Sequence, residues 1–473
     1  MKTILNEIQE RKQFIHATCN GRKSCGKCKI HVLENNVSVT QEEKNFLTKK
    51  EIDQGIRLAC CHEATQDIHY TLVEEYMDIL DDIYIKDIKN SHEEGQGLIV
   101  DIGTTTVVMK WISLENGQCL DTISFKNPQA TYGGDVISRI QYDQEKPHIL
   151  NQVIIRQIEE ELLKHSHIHI KRMIICGNTV MTHLLLDSDV SSLGHVPFNI
   201  PIQTSVWLKS HQLFERISQD FDIYTFPHIA AFVGGDIVSG IMALSIDKEE
   251  QYHMFVDLGT NGELVVGNKE KILTTSTAAG PAFEGVGITC GGPSITGAIT
   301  KVKIENDNVS FETIGHQKPI CLCGSGLISL IAQLRKYEII DEMGRFVDKR
   351  ERFSITDDIY VTEKDIQIFQ LAKAAIQAGI ATLLREIKEI ECIYISGGFA
   401  SHIEISDLIE LKLFPKQYEN CIYNVKNSAL SGAYALLLQQ DYKRVENIVN
   451  ISQNINLAEY DGFEDELIEG LFF

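Results

Sequence analysis

The chain is short of positive charge: its 473 residues carry 44 Lys and Arg against 66 Asp and Glu, a formal charge of −22. A surface of that sign repels phosphate backbones and anionic headgroups, so nucleic acid and membrane are excluded as main partners, and acidic patches for protein partners are expected. Long apolar runs are missing too. No stretch of about 18 uninterrupted apolar residues is available to span a bilayer, and "MKTILNEIQERKQ" lacks the apolar run of a secretory signal. A cytoplasmic protein is expected. Hydrophobic content of 43% is ordinary for globular chains, and the length calls for two to four domains.

A hydroxyl is missing from "CNGRKSCGKC", residues 19–28. Gly21, Gly26 and Lys27 fit G-x-x-x-x-G-K, but Cys28 stands where a Ser or Thr should hold magnesium. A phosphate loop also needs a buried strand before it and a helix after it. Upstream, Ile4, Leu5, Ile8 and Ile15 recur at helical period. Downstream, "KIHVLENNVSV" alternates apolar and polar residues around "NN" and predicts a hairpin in which Ile30 and Val32 face Val37 and Val39. The phosphate-loop reading therefore fails.

Cysteine fills the loop instead. Cys19, Cys25 and Cys28 form C-x5-C-x2-C, and Cys60 and Cys61 follow in "GIRLACCHE". One loop plus one remote segment lets four thiolates converge on a [2Fe-2S] rhombus, with Gly21 and Gly26 permitting tight bends. Spacing leaves open whether Cys60 or Cys61 is the fourth ligand. A structural zinc site normally brings two paired knuckles, and only one pair exists here. Twelve cysteines in a chain of this length are no disulfide scaffold. Cys321 and Cys323, before "GSGLISL", are expected in the core, and the alternating histidines of "KHSHIHIK" (164–171) read as a solvent-facing row on a strand.

Past an acidic connector over 73–96, the sequence repeats itself at long range. "GLIVDIGTTTVVMKWI" (97–112) and "HMFVDLGTNGELVVGN" (253–268) each read as strand, tight turn, strand. "RMIICGNTVMTHLL" (172–185) and "CIYISGGFASHIEI" (392–405) each read as strand, glycine turn, helix. Two such halves facing each other would form a cleft. Gly103 and Gly259 let backbone amides approach phosphate oxygens, and Thr104, Thr105, Thr106, Thr260 and Asn261 line the two turns. Asp101 and Asp257, at strand ends, are placed to hold hydrated Mg2+. Gly397 and Gly398 clear space for adenine or ribose, so the ligand expected is ATP. Asp236 is the only formal charge in "YTFPHIAAFVGGDIVSGIMALSI" (224–246). It reads either as an N-cap or as a carboxylate orienting the attacking water or magnesium. "GPAFEGVGITCGG" is expected to form a glycine loop beside the nucleotide.

The cysteine segment with "RLAC" resembles the plant-type and vertebrate-type [2Fe-2S] ferredoxins. That implies a small β-grasp domain over 1–72 with Cys60 as fourth ligand. Because Cys19 follows only 18 residues, the leading hairpin of that fold is expected to be missing. "DIGTTT", "DLGTNG" and "SGGFAS" together resemble the two phosphate motifs and the adenosine motif of the acetate kinase, sugar kinase, Hsp70 and actin superfamily. The implied architecture is α+β followed by α/β: a ferredoxin-like domain, then a duplicated actin-like (ASKHA, RNase H-like) ATPase. Its halves fall at 97–246 and 247–440, with a C-terminal extension over 441–473.

In this order the blocks resemble the reductive activators of corrinoid proteins. The resemblance implies an ATP-dependent, homodimeric reductase that takes electrons from a low-potential donor of ferredoxin or flavodoxin type. It passes them through the [2Fe-2S] cluster to the Co(II) corrinoid of a methyltransferase-system corrinoid protein, restoring Co(I). Activators of 2-hydroxyacyl-CoA dehydratases share a related ATPase fold but lack the ferredoxin module. A redox-sensing regulator and a small-molecule kinase are the readings from other classes.

Overall fold

The computed structural model describes residues 2–11, 15, 17, 19, 21–23, 26–33, 37–47, 49–65, 68–72, 93–259, 261–305, 308–387, 389–398 and 402–473. The acidic connector lies outside them except for residues 93–96. The chain divides into two compact units, one built on residues 1–75 and 90–235, the other on 236–473.

In the first unit, the helical period near the N-terminus is realised as the helix Ile4–Glu10, with Ile4, Leu5 and Ile8 buried. A reciprocal cap closes it, Thr3 Oγ1 accepting from the Asn6 N–H and Asn6 Oδ1 from the Thr3 N–H. The predicted hairpin is not formed. Strand Lys29–Val32 pairs antiparallel with Ile56–Leu58 on one side and with Tyr70–Leu72 on the other. Both of its edges are taken, so none is left for Val37 and Val39. The Val37 carbonyl instead accepts from the Arg57 guanidinium at 2.8 and 3.1 Å. The remote pairing buries Ile30, Val32 and Leu58 in one core with Cys28 and Cys60, which a two-stranded surface hairpin cannot do.

The rest of this unit is a six-stranded sheet in the order Cys119–Lys126, Thr106–Ser113, Gln96–Ile102, Ile170–Gly177, Asp222–Thr225, Val206–Lys209. Leu98, Ile99, Val100 and Ile102 are all at 0% exposure, as a central strand covered on both faces requires. The histidine segment does not form a strand. His165 ends the helix Ile149–Lys164, stacks on Trp111 at 4.2 Å and bonds Asp121 at 2.8 Å, and the alternation falls in the turn between that helix and the strand Ile170–Gly177, where His167 and His169 are exposed.

The second unit repeats the plan with Ile422–Asn424, Cys392–Ser396, His253–Leu258, Gly262–Gly267, Ile272–Thr277 and Ser452–Asn454. In each sheet an antiparallel three-strand meander is extended by parallel strands beside its first member. Cys323 is fully buried at the start of the helix Gly324–Lys336. Among the described residues, Glu363–Glu386 is the one helix long and apolar enough to cross a membrane. With 72% of its apolar window buried inside the unit, it serves as a core helix. A buried fork joins Arg444 to Asp247, both N···O distances being 2.7 Å. Removing one partner strands the other charge. Arg444→Ala is therefore expected to destabilise this unit by about 3–5 kcal/mol, read as a lower denaturant midpoint.

Candidate functional site

The pairing of Lys29 with Leu58 runs on past the strands, the Ala59 N–H donating to the Cys28 carbonyl at 2.8 Å. That register brings the loop cysteine and the remote cysteine together. The Cys60 thiol lies in the field of Cys28 and Cys19, with its Sγ 3.9 Å from that of Cys61; Cys28 first, then burial, hold it far above the ordinary thiol range. Cys61 also meets Thr40 and Glu43, and burial, then Cys60, push it up to about 12. Cys25 lies outside the described residues. Gly21 and Gly26 take φ of +82° and +65°, and a Cβ on Gly26 would lie 2.6 Å from that of Phe46, so the bend there requires glycine.

A metal bound among crowded thiols displaces their protons and relieves the mutual repulsion of the thiolates. A two-iron rhombus spreads its thiolates over two metal atoms. The cysteines fit a cluster.

Sequence reading missed the residue that pins this turn. Glu43, at 0% exposure, accepts the Leu58 N–H at 2.7 Å and meets His62 Nε2 at 2.8 Å through Oε1. Its Oε2 accepts the Thr40 N–H at 2.8 Å. Burial opposes the charge, but His62 and the two N–H donors prevail and hold the carboxyl below its usual range. The signal was present in "TQEE", since Thr40 Oγ1 accepts in return from the Glu43 N–H.

In the first sheet, Asp101 is half-buried near the end of Gln96–Ile102, beside Cys176 in register. The turn after it is held by its carbonyls. Gly103 O accepts from Asn127 Nδ2 at 2.8 Å, Thr104 O from Arg139, Thr105 O from the Asn127 N–H at 2.9 Å, and Thr106 O from the Gly103 N–H at 3.0 Å. Asn178 Nδ2 donates to Thr104 Oγ1 at 2.9 Å. Among the described residues the N–H groups of Thr104 and Thr105 donate to no protein atom. Carbonyls anchored and amides left over make an anion-binding concavity. Arg139, at 0% exposure, was also missed; burial lowers its guanidinium to about 9, with Asp135 acting against this.

In the second sheet Asp257 stands directly across from Glu263 and parallel to Ser396. The Gly259 N–H closes the turn on the Asn261 carbonyl at 2.9 Å; Thr260 lies outside the described residues. Residues directly opposite share a face, so the two carboxyls face one another's field. Desolvation, then Asp236, then Asp257 drive Glu263 well above the carboxylate range, while Asn261 donates to it. Asp236 sits in the first turn of the helix Gly235–Leu244 rather than at its cap. Together these place Asp236, Asp257 and Glu263 in one neighbourhood. Glu263 was missed because "NGELVV" reads as ordinary strand alternation.

The glycines divide sharply. A Cβ on Gly397, at φ +123°, would lie 2.0 Å from the Leu258 carbonyl oxygen, whereas among the described residues one on Gly398, Gly280 or Gly287 would meet nothing within 4 Å. Packing requires the first, and the others border open space that a ligand can fill. Gly398→Val is expected to leave the unliganded thermal midpoint unchanged and weaken ATP binding at least about tenfold, about 1.4 kcal/mol by calorimetry. Gly397→Ala is expected to cost about 1–3 kcal/mol of stability. "GPAFEG" forms a short 3-10 turn, Pro281–Glu284, between glycines of positive φ.

Residues 1–65 match the family described as "2Fe-2S iron-sulfur cluster binding domain", 96–249 "RACo middle region", and 251–473 "C-terminal domain of RACo the ASKHA domain". The corrinoid activation enzyme RamQ of Eubacterium limosum is 32% identical over 402 residues, 76% of this chain and 68% of that protein. The reductase of a Co(II) methylated amine-specific corrinoid protein from Methanosarcina barkeri is 24% identical over 76% of this chain and 72% of that one. The solved structure of a reductive activator for a corrinoid, iron-sulfur protein matches with a TM-score of 0.71 and 27% identity, covering 100% of this chain and 95% of its own. With a ferredoxin domain preceding an ASKHA domain and these relatives, the chain belongs to the family of reductive activators of corrinoid proteins.

Proposed function

We propose that the chain uses ATP to drive an electron from a low-potential ferredoxin or flavodoxin onto the Co(II) corrinoid of a methyltransferase-system corrinoid protein, restoring Co(I). The observation that carries this reading is the presence, in one chain, of a thiol cluster on a pinned turn and a phosphate-type turn whose amides are left free. A bound [2Fe-2S] cluster supplies one-electron transfer at a potential of about −400 mV for this class. Cys19, Cys25, Cys28 and Cys60 would hold it, and Glu43 keeps the Leu58–His62 turn in register.

Gly103, Thr104, Thr105 and Thr106, with Gly259, Thr260 and Asn261, are assigned to the phosphates; Gly397 and Gly398 are assigned to the nucleoside. Asp101 and Asp257 are assigned to hydrated Mg2+, which keeps most of its waters and needs no closed protein cage. Asp236 and Glu263 orient water beside them. The working form is a homodimer in the cytoplasm.

The test is anaerobic purification with iron and sulfide analysis, then spectroscopy of Co(II) corrinoid proteins mixed with the chain, a reduced donor and ATP. Two irons and two sulfides per chain, with ATP-dependent loss of the Co(II) signal, are expected. Zinc in their place would refute the proposal, as would phosphoryl transfer to a small acceptor.

A further inference from the structure

Within the first unit a run of hydrogen bonds leads from the Gly103–Thr106 turn to the cysteine-bearing module. Arg139 is its centre. Its Nη2 donates to the Thr104 carbonyl, its Nε to the Gly133 carbonyl at 2.9 Å and its Nη1 to Gln129 Oε1 at 3.3 Å. Gln129 lies in the short turn Pro128–Thr131 and Gly133 two residues past it, and Gln129, Thr131 and Tyr132 are all buried.

That same turn receives the N-terminal module. Gln9 Nε2 donates to the Thr131 carbonyl at 2.8 Å, the Ile15 N–H to Thr131 Oγ1 at 3.1 Å, and the Tyr132 hydroxyl to the Gln9 carbonyl at 3.0 Å. Ile15 and Ala17 lie in the core that holds Cys28 and Cys60. A second strut runs parallel: on the helix that carries Arg139, Val136–Glu145, Gln141 accepts from Arg22 in the cysteine loop at 3.2 Å. Tyr132 is braced by the Tyr142 ring of that helix at 5.0 Å.

A buried guanidinium that grips three oxygens fixes their mutual positions, because each bond it gives up leaves a desolvated polar group. The Thr104 carbonyl belongs to the peptide that ends in the Thr105 N–H, one of the two amides with no protein acceptor. An anion drawn onto that N–H reorients the whole peptide plane, and with it the oxygen Arg139 holds. We propose that Arg139 and the Asn127–Gly133 turn are a positioning link through which occupancy of the Gly103–Thr106 turn sets the seating of the cysteine module, so that nucleotide affinity and cluster electron affinity are coupled. The proposal rests on the reading above, that this turn takes phosphate and these cysteines hold a cluster.

Coupling of this kind is reciprocal: the factor by which nucleotide shifts the reduction equilibrium is the factor by which reduction shifts nucleotide affinity. Both legs are measurable on the full-length, cluster-loaded chain. An EPR-monitored redox titration with and without a non-hydrolysable ATP analogue plus Mg2+ gives one, and analogue binding to the oxidised and the dithionite-reduced chain gives the other. In the wild type a change of about tenfold, about 59 mV for one electron, is expected on both legs.

Because Arg139→Gln removes a buried charge and risks the fold, the discriminating variant is Thr131→Val with Tyr132→Phe, which deletes two docking hydroxyls and preserves volume. It should keep the iron content, the cluster's EPR g-values and the oxidised-state nucleotide affinity while losing the change on both legs; Thr131→Ser should retain it. A double variant that keeps the full change overturns the link, and so does a wild type whose reduction is indifferent to the analogue. ATP-dependent corrinoid reduction, run on the same samples, judges the underlying reading separately.

Discussion

Replacing Cys60 by Ala is expected to strip the protein of iron and sulfide, while replacing Cys61 leaves both in place. The two residues are neighbours in a single turn, Ala59–Cys61, so nothing about their distance along the chain separates them. Their surroundings do. Cys60 is influenced most by Cys28 and also by Cys19, whereas the influences on Cys61, burial and Cys60 apart, come from Thr40 and Glu43. The turn cannot rotate to exchange them, because Glu43 holds its start through the Leu58 N–H and its end through His62.

The Cys60→Ala chain should keep its fold in the second unit and its affinity for nucleotide. Its reduced EPR signal and its corrinoid reduction should fall to background. Cys61→Ala should retain the full iron and sulfide content. A Cys61→Ala chain that loses the cluster while Cys60→Ala keeps it would reverse the assignment.

Asp257→Asn is the second large effect. Asp257 stands opposite Glu263, and both Asp236 and Asp257 push the Glu263 carboxyl up. Like charges held together cost stability, and sites that bear that cost do so for function. The amide removes one charge without changing shape. Nucleotide turnover is expected to fall on the order of a hundredfold or more, about 2.7 kcal/mol of barrier. The thermal midpoint should stay level or rise, and the cluster's iron, sulfide and EPR signal should be untouched. A phosphate-release assay and a thermal scan on one preparation decide this. Turnover near the wild-type rate would remove Asp257 from the site.

Much of the fold was legible in the sequence. The repeated strand–turn–strand blocks emerged as Gln96–Ile102 with Thr106–Ser113 and as His253–Leu258 with Gly262–Gly267, because central strands buried on both faces leave uninterrupted apolar runs. Pairing partners were less legible. Val37 and Val39 carry the right alternation for a hairpin, yet Lys29–Val32 chose two strands that lie farther along the chain, and alternation alone does not say which edge is free.

The residues missed at the sites share one property: each takes its role from a segment remote in the sequence or across a strand pair. Glu43 acts on Leu58, Arg139 on Thr104, and Glu263 stands across a strand pair from Asp257. Motif reading finds groups that touch a ligand, whereas these three are found only when the register and the burial are known. Arg139 within "DVISRI" had a faint signal, a charge on the same helical face as Val136 and Ile140, both buried.

The most direct measurement counts Co(I) formed and phosphate released together, in one anaerobic mixture of the chain, a reduced donor, ATP and a Co(II) corrinoid protein. The account predicts that the two rise in step, and that a non-hydrolysable analogue or the Asp257→Asn chain gives neither. Co(I) appearing at the same rate and to the same extent without ATP hydrolysis would contradict it.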